Sequence, residues 1–98
     1  MYHVNIDMIA VSRADGSMEP LRFQFTDRKA LNHRVRIDEI LNRRELKHVE
    51  TVGYVFLCCG FLEEELCLFE LQYTVRTHRW TLFSVTPTTK RMTGMIHA

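Results

Sequence analysis

The stretch GYVFLCCGFLEEELCLF holds all three cysteines, with Cys58 and Cys59 adjacent and Cys67 beyond an acidic turn. Thiols placed this way could ligate a metal, act as a nucleophile, or pack as small apolar side chains. A structural zinc site wants four ligands, usually in C-x2-C pairs that bring two sulfurs to one ion. Adjacent residues on a strand point to opposite faces, so Cys58 and Cys59 cannot share an ion. Folding the hairpin about LEEE could set Cys59 opposite Cys67, but two more ligands would be needed, and His48 and His78 lie outside the hairpin. A nucleophilic cysteine needs a partly exposed, electropositive setting and a nearby histidine base. Here apolar neighbours and Glu63, Glu64 and Glu65 all keep the proton on sulfur. The expectation is that the thiols are packing: no catalytic residue, no metal ligand and no cofactor, hence no enzyme.

The remaining polar residues offer one other kind of chemistry. His3, His33, His48, His78 and His97 show no H-x-x-x-H or H-x-H spacing, and the four glycines are too dispersed for a phosphate cradle. No Walker loop, G-x-S-x-G or H-E-x-x-H occurs. The arginines are more suggestive. Arg22, Arg34 and Arg36 leave the same side of two strands expected to be neighbours, and Arg43, Arg44 and Lys47 follow closely. Small barrels grip single-stranded nucleic acid through a positive groove with exposed aromatics for stacking. In this chain the aromatics alternate with the arginines and so point inward, while Asp38, Glu39 and Glu45 dilute the charge. A solvated outer face is the plainer reading. Contact of Arg22, Arg34, Arg36, Arg43 and Arg44 with nucleic acid or another anion is the alternative. With 13 Lys and Arg against 12 Asp and Glu, the net charge of +1 gives a weaker field than a committed nucleic-acid binder usually carries.

These groups must be positioned by a small scaffold. Ninety-eight residues, 46% hydrophobic and 26% charged, make one soluble globular domain. The N-terminus has no basic segment leading an apolar one, as a signal peptide would, and no apolar run is long enough to cross a bilayer. An odd number of cysteines suits a reducing compartment, so the expected location is cytoplasmic, with no membrane partner.

Period-two alternation dominates the chain. VNIDMIAV alternates on Val4, Ile6 and Met8, then shifts to Ile9 and Val11, the mark of a bulge or a strand covered on both faces. Asp15-Gly16 is a strong hairpin signal, and Pro20 stands at the entrance of the next strand. LRFQF puts Leu21, Phe23 and Phe25 on one face, and RVRIDEIL puts Val35 and Ile37 inward. That strand is expected to reach about Asn42, followed by an irregular or single-turn helical segment within 38–49. LCLFELQYTV turns Cys67, Phe69, Leu71, Tyr73 and Val75 to one face, and WTLFSV adds Trp80 and Leu82. The crowding of Phe56, Phe61, Phe69, Tyr73 and Trp80 in the last two hairpins is expected to supply most of the core. The expected fold is mainly β: a small antiparallel barrel or strongly curved sheet of about six strands, SH3-like or related, with room for one short helix. The domain spans 1–86, and 87–98 reads as a flexible C-terminal tail.

The strand Val52–Phe61 is apolar at nearly every position, as only a strand covered on both faces requires. A thin domain has one core to offer, so the second face calls for a partner. Val52, Tyr54, Phe56 and Phe61 are the expected self-association surface, in a homodimer or against another protein.

PLRFQF, VRIDEIL, FELQY and RWTLFSV together resemble a pattern of small uncharacterised bacterial all-β proteins. Pro20, Arg22, Phe23, Val35, Ile40, Leu41, Leu71, Tyr73, Trp80 and Leu82 carry the resemblance, which covers about Pro20 to Val85. It implies a small SH3-like or related barrel and attaches no activity. The long two-faced apolar strand departs from the shorter, more polar middle of that pattern.

Overall fold

Six segments alternate, and six strands form: β1 (Val4–Ser12), β2 (Met18–Thr26), β3 (Asn32–Lys47), β4 (Val52–Leu62), β5 (Glu65–Thr74) and β6 (Arg79–Pro87). In the computed structural model, which describes residues 3–48 and 51–88, each strand runs antiparallel to the next and β6 returns to β1, closing a barrel. The closure rests on the pairs Val4↔Leu82, Asn5↔Thr81 and Ile6↔Trp80. Two of these pairs place a fully or almost fully buried side chain, Leu82 and Trp80, under the seam. There is no helix among the described residues. The helical turn expected within 38–49 is replaced by strand as far as Lys47, and of the expected tail residues 89–98 lie outside the described part.

The inward set is one layer deep. Phe23, Phe25, Val35, Phe56, Cys58, Cys67, Phe69, Leu71, Tyr73, Trp80 and Leu82 form the core, with Val4, Ile6, Met8 and Ala10 of β1 packed against it. Its rings meet edge to face and tilted: Phe23 on Phe69 at 5.3 Å, Phe56 on Trp80 at 5.5 Å, and Tyr73 on Trp80 at 5.1 Å. Such pairs add about 0.5–1.5 kcal/mol each beyond their burial. The expected core membership needs one correction: Phe61 is 56% exposed, because it falls on the outward parity of β4.

Four register shifts explain the other departures from plain alternation. Between Ile9 and Ala10 the partner moves from Arg22 to Pro20, so Leu21 is the surplus residue. The shift expected in the first strand is therefore present, but the extra residue sits on β2. Leu21 turns out of the core and the buried Pro20 takes the inward place. In β3 the surplus residues are Asp38 and Leu41, since Ile37↔Gly60 is followed by Glu39↔Cys59, and Ile40↔Cys58 by Asn42↔Leu57. In β6 it is Phe83, between Leu82 and Ser84. Bulges bend and twist the strand that carries them, as a barrel this small demands. Val75, expected inward, lies one residue past β5 and is 40% exposed.

The turns differ in how well their residues suit them. At Asp15-Gly16, Gly16 takes the positive φ, and the Asp15 carboxylate accepts hydrogen bonds from the Ser17 N–H (2.9 Å) and hydroxyl (2.7 Å). The β4–β5 turn sets Glu63 and Glu64 at φ of 50° and 68°. That is the signature of a two-residue type I′ hairpin, which asparagine and glycine fit better. In the β2–β3 turn Asp27 is the hub. One carboxylate oxygen accepts from the N–H groups of Lys29 (2.8 Å) and Leu31 (3.0 Å), and the other lies 2.7 Å from His33 Nε2. His33 Nδ1 in turn lies 3.6 Å from Glu63, tying two turns at one end of the barrel.

Two outcomes follow from these turns. Ala30 is held at φ of 64°, a conformation that disfavours any side chain with a Cβ. Ala30→Gly should therefore raise the stability measured by urea unfolding, by about 1 kcal/mol. The hydrogen bond from His33, then that from Leu31, holds the Asp27 carboxyl below its ordinary value. A depressed carboxyl contributes stability above the unfolded pKa of ~4 and loses it as pH falls through the lower folded value. Asp27→Asn should accordingly destabilise the protein at neutral pH and flatten the acid limb of its stability profile.

Candidate binding faces

On the outside of β1, β2 and β3 the register aligns two rows. Asp7 pairs with Gln24, which pairs with Arg34; Ile9 pairs with Arg22, which pairs with Arg36. All three arginines are exposed, and among the described residues no carboxylate lies within ion-pairing distance of them. The one acid in the rows, Asp7, accepts a 2.8 Å hydrogen bond from Gln24 Nε2. These strands wall an open groove of about 480 Å³, lined by Asp7, Met8, Ile9, Arg22, Phe23, Gln24, Arg34, Val35 and Arg36. That volume lies within the ~300–1,000 Å³ range of ligand clefts. Ile9 is 55% exposed and is the apolar member of the rows.

The core sets where Arg36 stands. A Cβ on Gly60 would come within 2.5 Å of the Arg36 carbonyl oxygen and 3.2 Å of a Val35 methyl. Glycine at position 60 is what lets β4 approach β3 where β3 leaves the groove.

The five arginines singled out in the sequence therefore divide. Arg22, Arg34 and Arg36 come together. Arg43 faces the opposite way along β3 and stacks on the Tyr54 ring, 4.6 Å from its centroid. Arg44 stands on the outer face of β3–β4–β5, by a small cleft of about 130 Å³ with Asn42, Val55, Leu57 and Glu70. A single basic surface formed by all five does not exist.

The expected self-association surface is also corrected. Phe56 is 1% exposed and belongs to the core, and Tyr54 is half-buried against that core beneath Arg43. Val52 and Phe61 are 52% and 56% exposed but lie near opposite ends of β4. The outward residues of this strand are the odd-numbered ones. Phe61 pairs with Leu66 and Cys59 with Leu68, with Leu57 and Val55 continuing the row. Val55 is nonetheless 5% exposed, so part of the second face is covered by neighbouring side chains of the chain itself. Leu57, Cys59, Leu66 and Leu68 were missed in the sequence, although the two-residue turn already fixes Leu62 opposite Glu65 and every pair beyond it.

The same register sends the thiols apart. Cys67 pairs with Gly60 and points inward, whereas Cys59 pairs with Leu68 and points outward. Burial, and secondarily Cys59, pushes the Cys58 thiol up to about 12. Burial followed by Glu39 and Asp38 raises Cys59, and burial followed by Glu65 raises Cys67. Among the described residues no three His, Cys, Asp or Glu side chains gather in a metal-holding group.

Comparison with family models, with curated proteins and with solved structures found no match, so the functional reading stands on geometry. For the thiols it gives a direct check. An aromatic disulfide reagent at mildly alkaline pH should titrate Cys59 alone in the native protein, and all three cysteines in denaturant. Rapid native reaction of Cys58 or Cys67 would contradict the burial described.

Proposed function

We propose that this protein is a non-enzymatic binding module and that its arginine groove receives an acidic segment of a protein partner. The carrying observation is that Arg22 and Arg36 are directly opposed across two strands, with Arg34 one row away and, among the described residues, no carboxylate paired to any of them. Like charges placed opposite each other on a sheet are destabilising. A partner's carboxylates would relieve this repulsion and could be held bidentately by the guanidinium forks.

Two features favour a peptide over single-stranded nucleic acid. Strand binders add exposed aromatic rings on which bases stack. In the groove rows the outward residues are Asp7, Ile9, Arg22, Gln24, Arg34 and Arg36, and the rings of Phe23 and Phe25 point into the core. Ile9 instead offers apolar contact beside the charges, as suits a segment that mixes acidic and hydrophobic side chains. The one carboxylate among the groove residues, Asp7, is occupied by the hydrogen bond from Gln24, and the proposed role is recognition.

Fluorescence polarisation tests this reading with two labelled probes, a peptide bearing two glutamates beside a phenylalanine and a single-stranded oligonucleotide, each at two salt concentrations. The peptide should bind, bind more weakly at higher salt, and lose about tenfold or more in affinity with Arg36→Glu. Tighter binding of the oligonucleotide, with the steep salt dependence of phosphate contacts, would replace the peptide reading with the nucleic-acid one. No binding of either probe would remove the groove as a working face.

A further inference from the structure

An acidic segment with an exposed aromatic beside it is present in this chain itself. The β4–β5 hairpin ends in Phe61-Leu62-Glu63-Glu64-Glu65-Leu66. Glu64 and Glu65 are exposed and have no ion-pair partner among the described residues, whereas Glu63 already faces His33. Phe61, at 56%, is the most exposed large hydrophobic residue described, and Ile9 of the groove follows at 55%, level with Leu31 of the β2–β3 turn. Among the described residues, one face thus presents three cations without an ion-pair partner beside an exposed aliphatic side chain, and one hairpin tip presents two carboxylates without one beside an exposed aromatic.

We infer that the tip of one copy docks in the arginine groove of a second copy, placing Glu64 and Glu65 against Arg22 and Arg36 and Phe61 against Ile9. The inference rests on the reading of the groove as a receptor for acidic segments and names the segment. Charge complementarity selects this occupant, because neither face can pair with its own kind: groove against groove repels, and tip against tip repels. A two-fold dimer in which each copy gives its tip and receives the other's would contain the contact twice, making this a self-complementary interface.

Sedimentation at micromolar concentration of four samples decides it: the wild-type chain, Arg22→Glu/Arg36→Glu, Glu64→Lys/Glu65→Lys, and an equimolar mixture of the two variants. All the substituted side chains are exposed, and circular dichroism confirms that each variant folds. The wild type should sediment above its 11.6 kDa monomer mass and each variant alone as a monomer, with association weakened about tenfold or more. The mixture should recover the wild-type mass, because every tip then meets a groove of opposite charge. Wild-type association that survives either double reversal would overturn the contact, as would a mixture that stays monomeric. A monomeric wild type that still binds the glutamate–phenylalanine peptide would sink self-docking and leave the groove reading intact. A monomer that binds no peptide would end both.

Discussion

A closed six-stranded barrel has room inside for a single layer of side chains, and that limit governs most of what this protein presents to solvent. Once Phe23, Phe56, Phe69, Leu71, Trp80 and Leu82 fill the interior, alternation between the bulges sends every other residue outward. β4 carries more apolar residues than one face can use, so Leu57, Cys59 and Phe61 appear outside. β2 and β3 carry arginines at the intervening positions, and closure forces these onto one shared face. The exterior is the complement of the packing. Its outward charges stand in fixed rows because the strands are locked to one another.

Net charge conceals this arrangement. Thirteen basic residues against 12 acidic ones nearly cancel, yet three of the cations stand together on β2 and β3 while Glu63, Glu64 and Glu65 occupy the β4–β5 tip. A near-neutral molecule with segregated charge has little long-range field but strong local complementarity, and proteins near zero net charge tend to associate. Arg43 behaves differently from its neighbours because β3 turns it over Tyr54, where it covers the open end of the aromatic core. Neighbouring arginines in one strand thus do unlike work, decided by parity alone.

Much of this was legible in the sequence. The strand class, the Asp15-Gly16 turn, the inward face of β5 and the common side of Arg22, Arg34 and Arg36 all follow from period-two patterning and turn chemistry. What patterning could not supply was the location of the surplus residues. Leu21 reads as core in LRFQF, and only the register between β1 and β2 shows that Pro20 takes that place. Similarly, a strand apolar on both faces gives no internal sign of which parity points inward. Phe56 and Phe61 were therefore grouped together, although the barrel separates them. The extension of β3 past Asn42 was hidden for a different reason. The charged run Asn42–Lys47 has reasonable helical propensity, and it is strand here because pairing with Val52–Leu57 overrides that local preference.

The paired bulges of β3 decide where this chain can change length. Asp38 and Leu41 each interpose one residue that has no partner on β4, and each switches which sequence parity points inward: Val35 and Ile37 before the first, Ile40 between them, Arg43 after the second. Deleting either residue alone would remove one bulge and leave Arg43 opposite Phe56 on its present face. Deleting both would straighten the strand and still leave every later side chain where it stands. Loss of a paired residue is a different event, because it slips the register and turns the following side chains over. Length is thus free to vary at the two unpartnered positions and fixed elsewhere by the continuous pairing with β4.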